Sequence, residues 1–298
     1  MALSEAHDWF GSHTYGRSSA GVDDVAALLD GRRVSVVLPA RDESGTIGAI
    51  LDGIATLGPV VGEVLVVDSR SSDDTATIAR DRGAVVHRVE DEPDPGKGAA
   101  MRLGVERMSG ELGVFVDADI VDFDPGFVLG LVHTLVRDPR HVFVKGFYDR
   151  PWNGPDGETR PVGGGRVTEL VARPLIARRA PRLAGFAQPL AGEVAFVRDA
   201  LLDVPWVSGY GVDIALMLDV VERFGLERMA QVDLGERLHG HQDLDALGRM
   251  AMQVAAAFEI VQGGADRVDR IRTTVGRGAD RLGLSEETVS TWRLGPIR

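Results

Sequence analysis

The chain has 298 residues, of which 44% are hydrophobic and 26% charged, with a formal net charge of -12 and no cysteine. That length suits one large α/β domain, or one domain with an extension. The composition excludes disulfides and thiolate chemistry, the acidic balance argues against a general nucleic-acid binder, and no apolar run is long enough for a membrane span. The first residues carry no charged-then-apolar leader pattern, so the expected address is cytoplasmic.

Residues 1–20 are polar and Gly/Ser-rich and read as an arm, although Trp9, Phe10 and Tyr15 give it something to pack. A helix is predicted over 22–29. Residues 33–38 (RVSVVL) are β-branched and apolar, as a strand buried on both faces requires. Apolar residues then fall at helical spacing over 46–57. A second strand, 63–67, is closed by Asp68-Ser69, and Ser72-Asp73-Asp74-Thr75 caps a helix running to Arg82. A short strand over 84–89 leads to Pro95-Gly96-Lys97-Gly98, a tight turn opening a helix over 99–108. The strand over 112–116 then ends in Asp117-Ala118-Asp119. Two carboxylates at the end of a buried strand need a cation opposite them, and a divalent metal shared with phosphate is the usual one.

This alternation predicts parallel βαβ units with right-handed crossovers. Ligands of such sheets collect beyond the carboxyl ends of the strands, so the loops at Pro39, Asp68 and Asp117 should open on one side. The second half is less regular. A strand is expected over 142–148, a polar Pro/Gly-rich loop over 151–161, a helix over 167–179 after Gly163-Gly164-Gly165-Arg166, and a short strand over 193–196. A helix over 211–224 and a last strand over 229–234 follow. Two helical segments, 244–260 and about 266–282, close the chain, for core packing or a dimer contact.

LPARDESGTI, VVDSRSSDDT, PGKG and VDAD together resemble the nucleotide-sugar half of GT-A-type glycosyltransferases. GGGRVTELVARPL, QPLAGE, GYGVDIALMLD and AQVDLGERLH narrow the resemblance to the glucosyl-3-phosphoglycerate and mannosyl-3-phosphoglycerate synthases of actinobacteria, over roughly residues 30–255. The resemblance implies a GT-A-like, mostly parallel sheet flanked by helices, with a C-terminal helical extension. Its expected divisions are an arm and helix over 1–30, a nucleotide-binding half over 31–124, an acceptor-binding half over 125–242 and C-terminal helices over 243–298.

It further implies a homodimeric, retaining, metal-dependent hexosyltransferase that moves a hexose, glucose from UDP-glucose first, to 3-phosphoglycerate or a similar small anion. By family correspondence, Pro39, Ala40, Glu43, Ser69, Lys97, Asp117, Ala118 and Asp119 would hold the nucleotide. Asp119 and His239 would bind Mg²⁺ or Mn²⁺; Leu190, Tyr210 and Asp213 would line the sugar pocket; and Gly165, Arg166, Thr168 and His241 would receive the acceptor. Asp119, Asp213 and Lys97 would carry the catalysis.

The residues themselves give supporting chemistry. A helix N-terminus beside Arg166 suits a phosphate, and a lysine between glycines can reach a diphosphate. The chain departs from the family in two places. Asp213 stands where the family has Glu, one methylene or about 1.5 Å shorter. Gly240-His241-Gln242 stands where the family has Arg-Asn-Arg, and Gln242 cannot supply a guanidinium's charge. A related transferase using another donor (GDP-mannose, GDP-glucose, UDP-N-acetylglucosamine) or another small hydroxylated acceptor therefore stands as the first alternative. A silent nucleotide-sugar-binding protein is the second. A nucleotidyltransferase lacks its glycine-rich phosphate loop after the first strand, and a dehydrogenase lacks G-x-G-x-x-G.

Overall fold

The computed structural model describes residues 2–90, 96–149, 152–153, 159–160, 165–237, 243–277 and 282–297. In chain order the first half runs α1 (Ala2–His13), β1 (Thr14–Tyr15), α2 (Val22–Leu28), β2 (Val34–Ala40), α3 (Ile47–Ala55), β3 (Val61–Asp68), α4 (Thr75–Asp81), β4 (Val85–Arg88), α5 (Gly96–Arg107), β5 (Leu112–Phe115) and α6 (Gly126–Arg137). Then come β6 (Phe143–Asp149), β7 (Trp152–Asn153), β8 (Thr159–Arg160), α7 (Arg173–Arg179) after a π-turn at Thr168–Ala172, β9 (Val194–Val197) and α8 (Arg198–Leu202). The chain closes with β10 (Trp206–Val207), α9 (Val212–Phe224), β11 (Met229–Glu236), α10 (Leu244–Gly263), β12 (Arg267–Arg277) and β13 (Leu282–Leu294).

The central sheet has the order β1-β11-β6-β9-β5-β2-β3-β4. Its pairs are parallel except those made by β9, which runs against both β5 and β6. Alternate residues of the strands feed two apolar layers. Val36, Leu38, Val66 and Val114 pack toward α2, α3 and α6; Val37, Leu65, Val67 and Phe115 pack toward α5, α9 and α10. Filling both faces is what makes these strands read as unbroken apolar runs. The mostly parallel sheet flanked by helices is thus as expected. The ends of β2, β3 and β5 do lie on one side, because the three strands are mutually parallel.

Three expectations are corrected. The arm begins as a helix: Trp9 on α1 is 4% exposed, donates its indole N–H to the carbonyls of Leu226 (2.9 Å) and Met229 (3.1 Å), and packs on Phe186. Within the segment read as helical over 266–282, residues 267–277 form β12, paired antiparallel along its length with β13, so β11 is not the last strand. Val268, Ile271 and Val275 happen to fall at helical spacing, but the run is rich in β-branched residues and takes cross-strand partners instead. This hairpin lies on α10, tied by Arg272 to Asp245 at 2.6 Å and by Arg249 to Glu287 at 3.2 Å. Finally, the segment read as a loop over 151–161 contains a short antiparallel pair, β7 with β8. No described helix is long and apolar enough to cross a membrane.

Candidate active site

The site grows from the ends of β2, β3 and β5. At the end of β2 the chain turns through Asp42, whose φ of 57° is left-handed. That turn is held by Glu43 N–H donating to Thr75 Oγ1 (2.8 Å) and by Ser72 N–H donating to Asp42 Oδ1 (2.7 Å). Ser69, buried at the end of β3, donates its N–H to the Ala40 carbonyl at 2.8 Å. Thr46 donates its hydroxyl to the Ala118 carbonyl at 2.6 Å. Pro39, Ala40, Glu43, Ser69 and Ala118 therefore sit on one cross-linked rim. Pro39 and Ala40 lie inside β2 rather than after it.

Lys97 lies in the first turn of α5, not in a preceding turn. Its neighbours explain the two glycines. A Cβ on Gly98 would stand 1.9 Å from the Val207 carbonyl oxygen, and one on Gly96 would stand 2.9 Å from Gly209 Cα. Only glycine lets α5 press on residues 207–209, and that contact brings Lys97 to the start of α9. Lys97 Nζ reaches Asp117 at 2.9 Å and Asp213 at 3.1 Å. Burial opposes its charge, but Asp117 and Asp213 hold its pKa above the ordinary lysine range. Burial likewise opposes ionisation of Asp117, yet Lys97 and Arg237 keep its carboxyl well below the usual range.

Arg237 is the residue that reading the sequence for chemistry missed. It follows β11, and its guanidinium contacts Glu193 (2.8 Å), Asp117 (3.1 Å) and Asp119 (2.6 Å). It also donates to the hydroxyl of Tyr148, which in turn donates to Glu193 at 2.9 Å. The Glu193 side chain has no exposure and that of Arg237 is 5% exposed, whereas that of Asp119 is 44% exposed. The network thus runs from the core to an open carboxylate. Its only sequence signal was position, two residues before His239 for Arg237 and within QPLAGE for Glu193.

Among the described residues, five carboxyl groups (Glu43, Asp117, Asp119, Glu193, Asp213) meet three basic groups (Lys97, Lys145, Arg237) in this cluster, a formal negative excess that burial, by raising the pKa of Glu193 as well as that of Glu43, partly discharges. Glu43 registers it: burial first, then the charges of Asp119, Asp117 and Asp73, push its pKa up to about 7. A divalent cation would offset that excess, and the half-open carboxylate of Asp119 is a hard oxygen donor suited to it. No group of three or more His, Cys, Asp or Glu side chains placed to hold one metal ion occurs among the described residues, and the Asp119 carboxylate is paired with Arg237. His239 and His241, with Gly240 and Gln242, lie outside the described residues.

Around the cluster, Tyr210 is 44% exposed and its phenol feels Lys97, Asp117, Asp119 and Glu43, after burial, which raises its pKa. Its N–H donates to Gln253 Oε1 on α10 at 2.9 Å. Leu190 is half-buried, just before Gly192, where a Cβ would stand 2.2 Å from Asp117. Asp213 leaves one buried oxygen, Oδ1, without a hydrogen-bond partner. Gly165, at a φ of 75°, precedes exposed Arg166 and buried Thr168 at the start of the helical segment that leads into α7.

A mostly parallel sheet whose strand ends carry Asp-x-Asp, facing a lysine on a glycine-fitted helix, is the arrangement expected of a GT-A glycosyltransferase. The glycosyl transferase family 2 model matches residues 35–188. The glucosyl-3-phosphoglycerate synthase of Mycolicibacterium smegmatis is 44% identical over 258 residues, covering 85% of each chain. That of Petrotoga mobilis is 41% identical, over 74% of this chain and 71% of its own. Among solved structures, mannosyl-3-phosphoglycerate synthase from Rubrobacter xylanophilus superimposes with a TM-score of 0.87 at 35% identity, covering 98% of both chains. Glucosyl-3-phosphoglycerate synthase from Mycobacterium tuberculosis, solved with Mn²⁺, UDP and phosphoglyceric acid, gives a TM-score of 0.84 at 37% identity, over 96% and 97% of the two chains. The chain belongs to glycosyl transferase family 2, among the glucosyl- and mannosyl-3-phosphoglycerate synthases, and is a glycosyltransferase.

Proposed function

We propose that this enzyme transfers glucose from UDP-glucose to 3-phosphoglycerate with retention of configuration, using a divalent metal. The observation that carries the reading is the chain of contacts Asp213–Lys97–Asp117–Arg237–Asp119, which joins the expected sugar, diphosphate and metal positions in one cluster. The relatives support the substrates: the M. tuberculosis enzyme was solved with Mn²⁺ and UDP-glucose, and with phosphoglyceric acid.

In this reading Pro39, Ala40, Glu43 and Ser69 hold the nucleoside on the rim of β2 and β3. Asp119 and His239 hold Mg²⁺ or Mn²⁺, which when bound supplies Lewis-acid stabilisation of the leaving diphosphate. Lys97, kept protonated by its two aspartates, adds a fixed positive charge that needs no reorganisation as the bond breaks. Asp213, tied to Lys97, lies on the hexose side of the cluster, and Leu190 and Tyr210 border the ring. Gly165, Arg166 and Thr168 present backbone N–H groups and a guanidinium to the acceptor's phosphate, and His241 serves as a further donor to the acceptor. No strong protein base is required, because the leaving phosphate takes the acceptor's proton on the same face. The homodimer and the four sequence divisions belong to this proposal as well.

The test is nucleotide release from a panel of UDP- and GDP-hexoses, with and without 3-phosphoglycerate, in metal or chelator. Release from UDP-glucose that requires both acceptor and metal supports the assignment. A second reading, the same chemistry on another small hydroxylated acceptor, is favoured by Gly240-His241-Gln242 in place of Arg-Asn-Arg. Release only with such an acceptor would select it. No release with any pair would favour a silent binding protein.

A further inference from the structure

A second lysine lies behind the first. Lys145 sits in β6 at the middle of the sheet, opposite Gln231 of β11 and Val194 of β9, and is 1% exposed. A fully buried ammonium is costly, and a lysine used only to fill space would be replaced by methionine or leucine without loss. Here the Nζ donates to the Ala191 carbonyl at 2.7 Å. Ala191 lies between Leu190, which borders the sugar pocket, and Gly192, whose backbone runs against the Asp117 carboxylate. The next residue, Glu193, is bound by Arg237 and Tyr148. Asp213, Lys97, Glu193 and Asp117 are the charged groups that act on Lys145, Asp213 most strongly and with opposite sign.

We propose that Lys145 is a positioning residue for glycosyl transfer: through the Ala191 carbonyl it fixes the turn that places Leu190 at the sugar position. It touches no substrate. The effect therefore falls on the sugar half of the donor site and spares the nucleoside-binding rim on β2, β3 and the loop around Glu43. Burial lowers the pKa of Lys145 to about 8, so its charge is held against a penalty that Asp213 partly offsets.

This inference rests on UDP-glucose being the donor. The experiment compares wild type with Lys145→Met, which keeps the length and removes the donor and charge, and Lys145→Gln, which keeps a donor without charge. Three quantities are read with Mg²⁺ and 3-phosphoglycerate present: cooperative thermal unfolding, inhibition by UDP, and kcat/KM for UDP-glucose. The expected result for Lys145→Met is a cooperative transition, unchanged UDP inhibition and kcat/KM lower by about tenfold or more, the worth of a hydrogen bond from a charged donor. Lys145→Gln falls between. If Lys145→Met does not fold, Lys145→Gln carries the same comparison. A folded variant with wild-type kcat/KM overturns the proposal, as does an equal loss of UDP and UDP-glucose recognition, which would make Lys145 a support of the fold alone. Wild type that binds UDP but never turns over UDP-glucose overturns the donor reading itself, and is seen before any variant is compared.

Discussion

Arg237 and Asp119 meet at 2.6 Å although they are far apart in the chain, one end of the guanidinium reaching an open carboxylate while the other is sealed on Glu193. The same cation therefore serves the fold and the site. Arg237→Met leaves Glu193 buried without its counter-charge. Breaking one side of a buried pair costs about 3–5 kcal/mol, so urea denaturation should show a loss of that size. A variant as stable as wild type would mean that Glu193 is protonated or otherwise satisfied.

Asp119→Asn should behave in the opposite way. Its carboxylate is half-exposed, so stability changes little. Removing a group that merely orients a metal's ligands costs about 10–100-fold, so loss of Asp119 in the ligand role proposed for it should cost at least the upper figure, about 100-fold, in metal-stimulated turnover. Full turnover with an unchanged metal requirement would remove Asp119 from the mechanism.

Glu43 gives a pH dependence of defined sign. Its pKa rises from the ordinary 4.5 to about 7 in the fold, chiefly through burial and then through the charge of Asp119. Between those values the native state binds the proton that the unfolded state has released, so this group's contribution to stability declines as pH rises from about 4.5 to 7. Glu43→Gln should match or exceed wild type above pH 7 and lose that advantage toward pH 4.5, measured as the difference in unfolding free energy between the two proteins. A difference that does not vary with pH would contradict the raised pKa.

Trp9 pins α1 to the loop before β11. Trp9→Ala removes a large buried ring and its two hydrogen bonds, and large-to-small changes of this kind cost about 3–5 kcal/mol. The loss is read as a lower urea midpoint, and an unchanged midpoint would mean that α1 docks without it.

Much of this architecture was legible because the first half has a simple period. β5, the second half of β3 and, apart from the buried Ser35, β2 are buried on both faces, so each is an apolar run closed by a polar turn. Asp117 and Asp119 stood out because charge follows such a run. The second half was harder for physical reasons. In β12, Val268, Ile271 and Val275 mimic a helix stripe, and only pairing with β13 decides the matter. Arg237, Glu193 and Tyr148 were invisible as a unit, because a buried ion network is made by tertiary contact between β11, β9 and β6. Lys145 did carry a local signal, a lone charge inside an otherwise apolar strand.

The proposed transfer of a hexose from a nucleotide diphosphate, under the control of a metal held at Asp119, is read most directly as UDP release from UDP-glucose and 3-phosphoglycerate, in Mg²⁺ or in chelator, for wild type and Asp119→Asn. Wild type should release UDP, and release should vanish on chelation and on substitution. Equal release under all these conditions would contradict a metal-controlled transfer at Asp119.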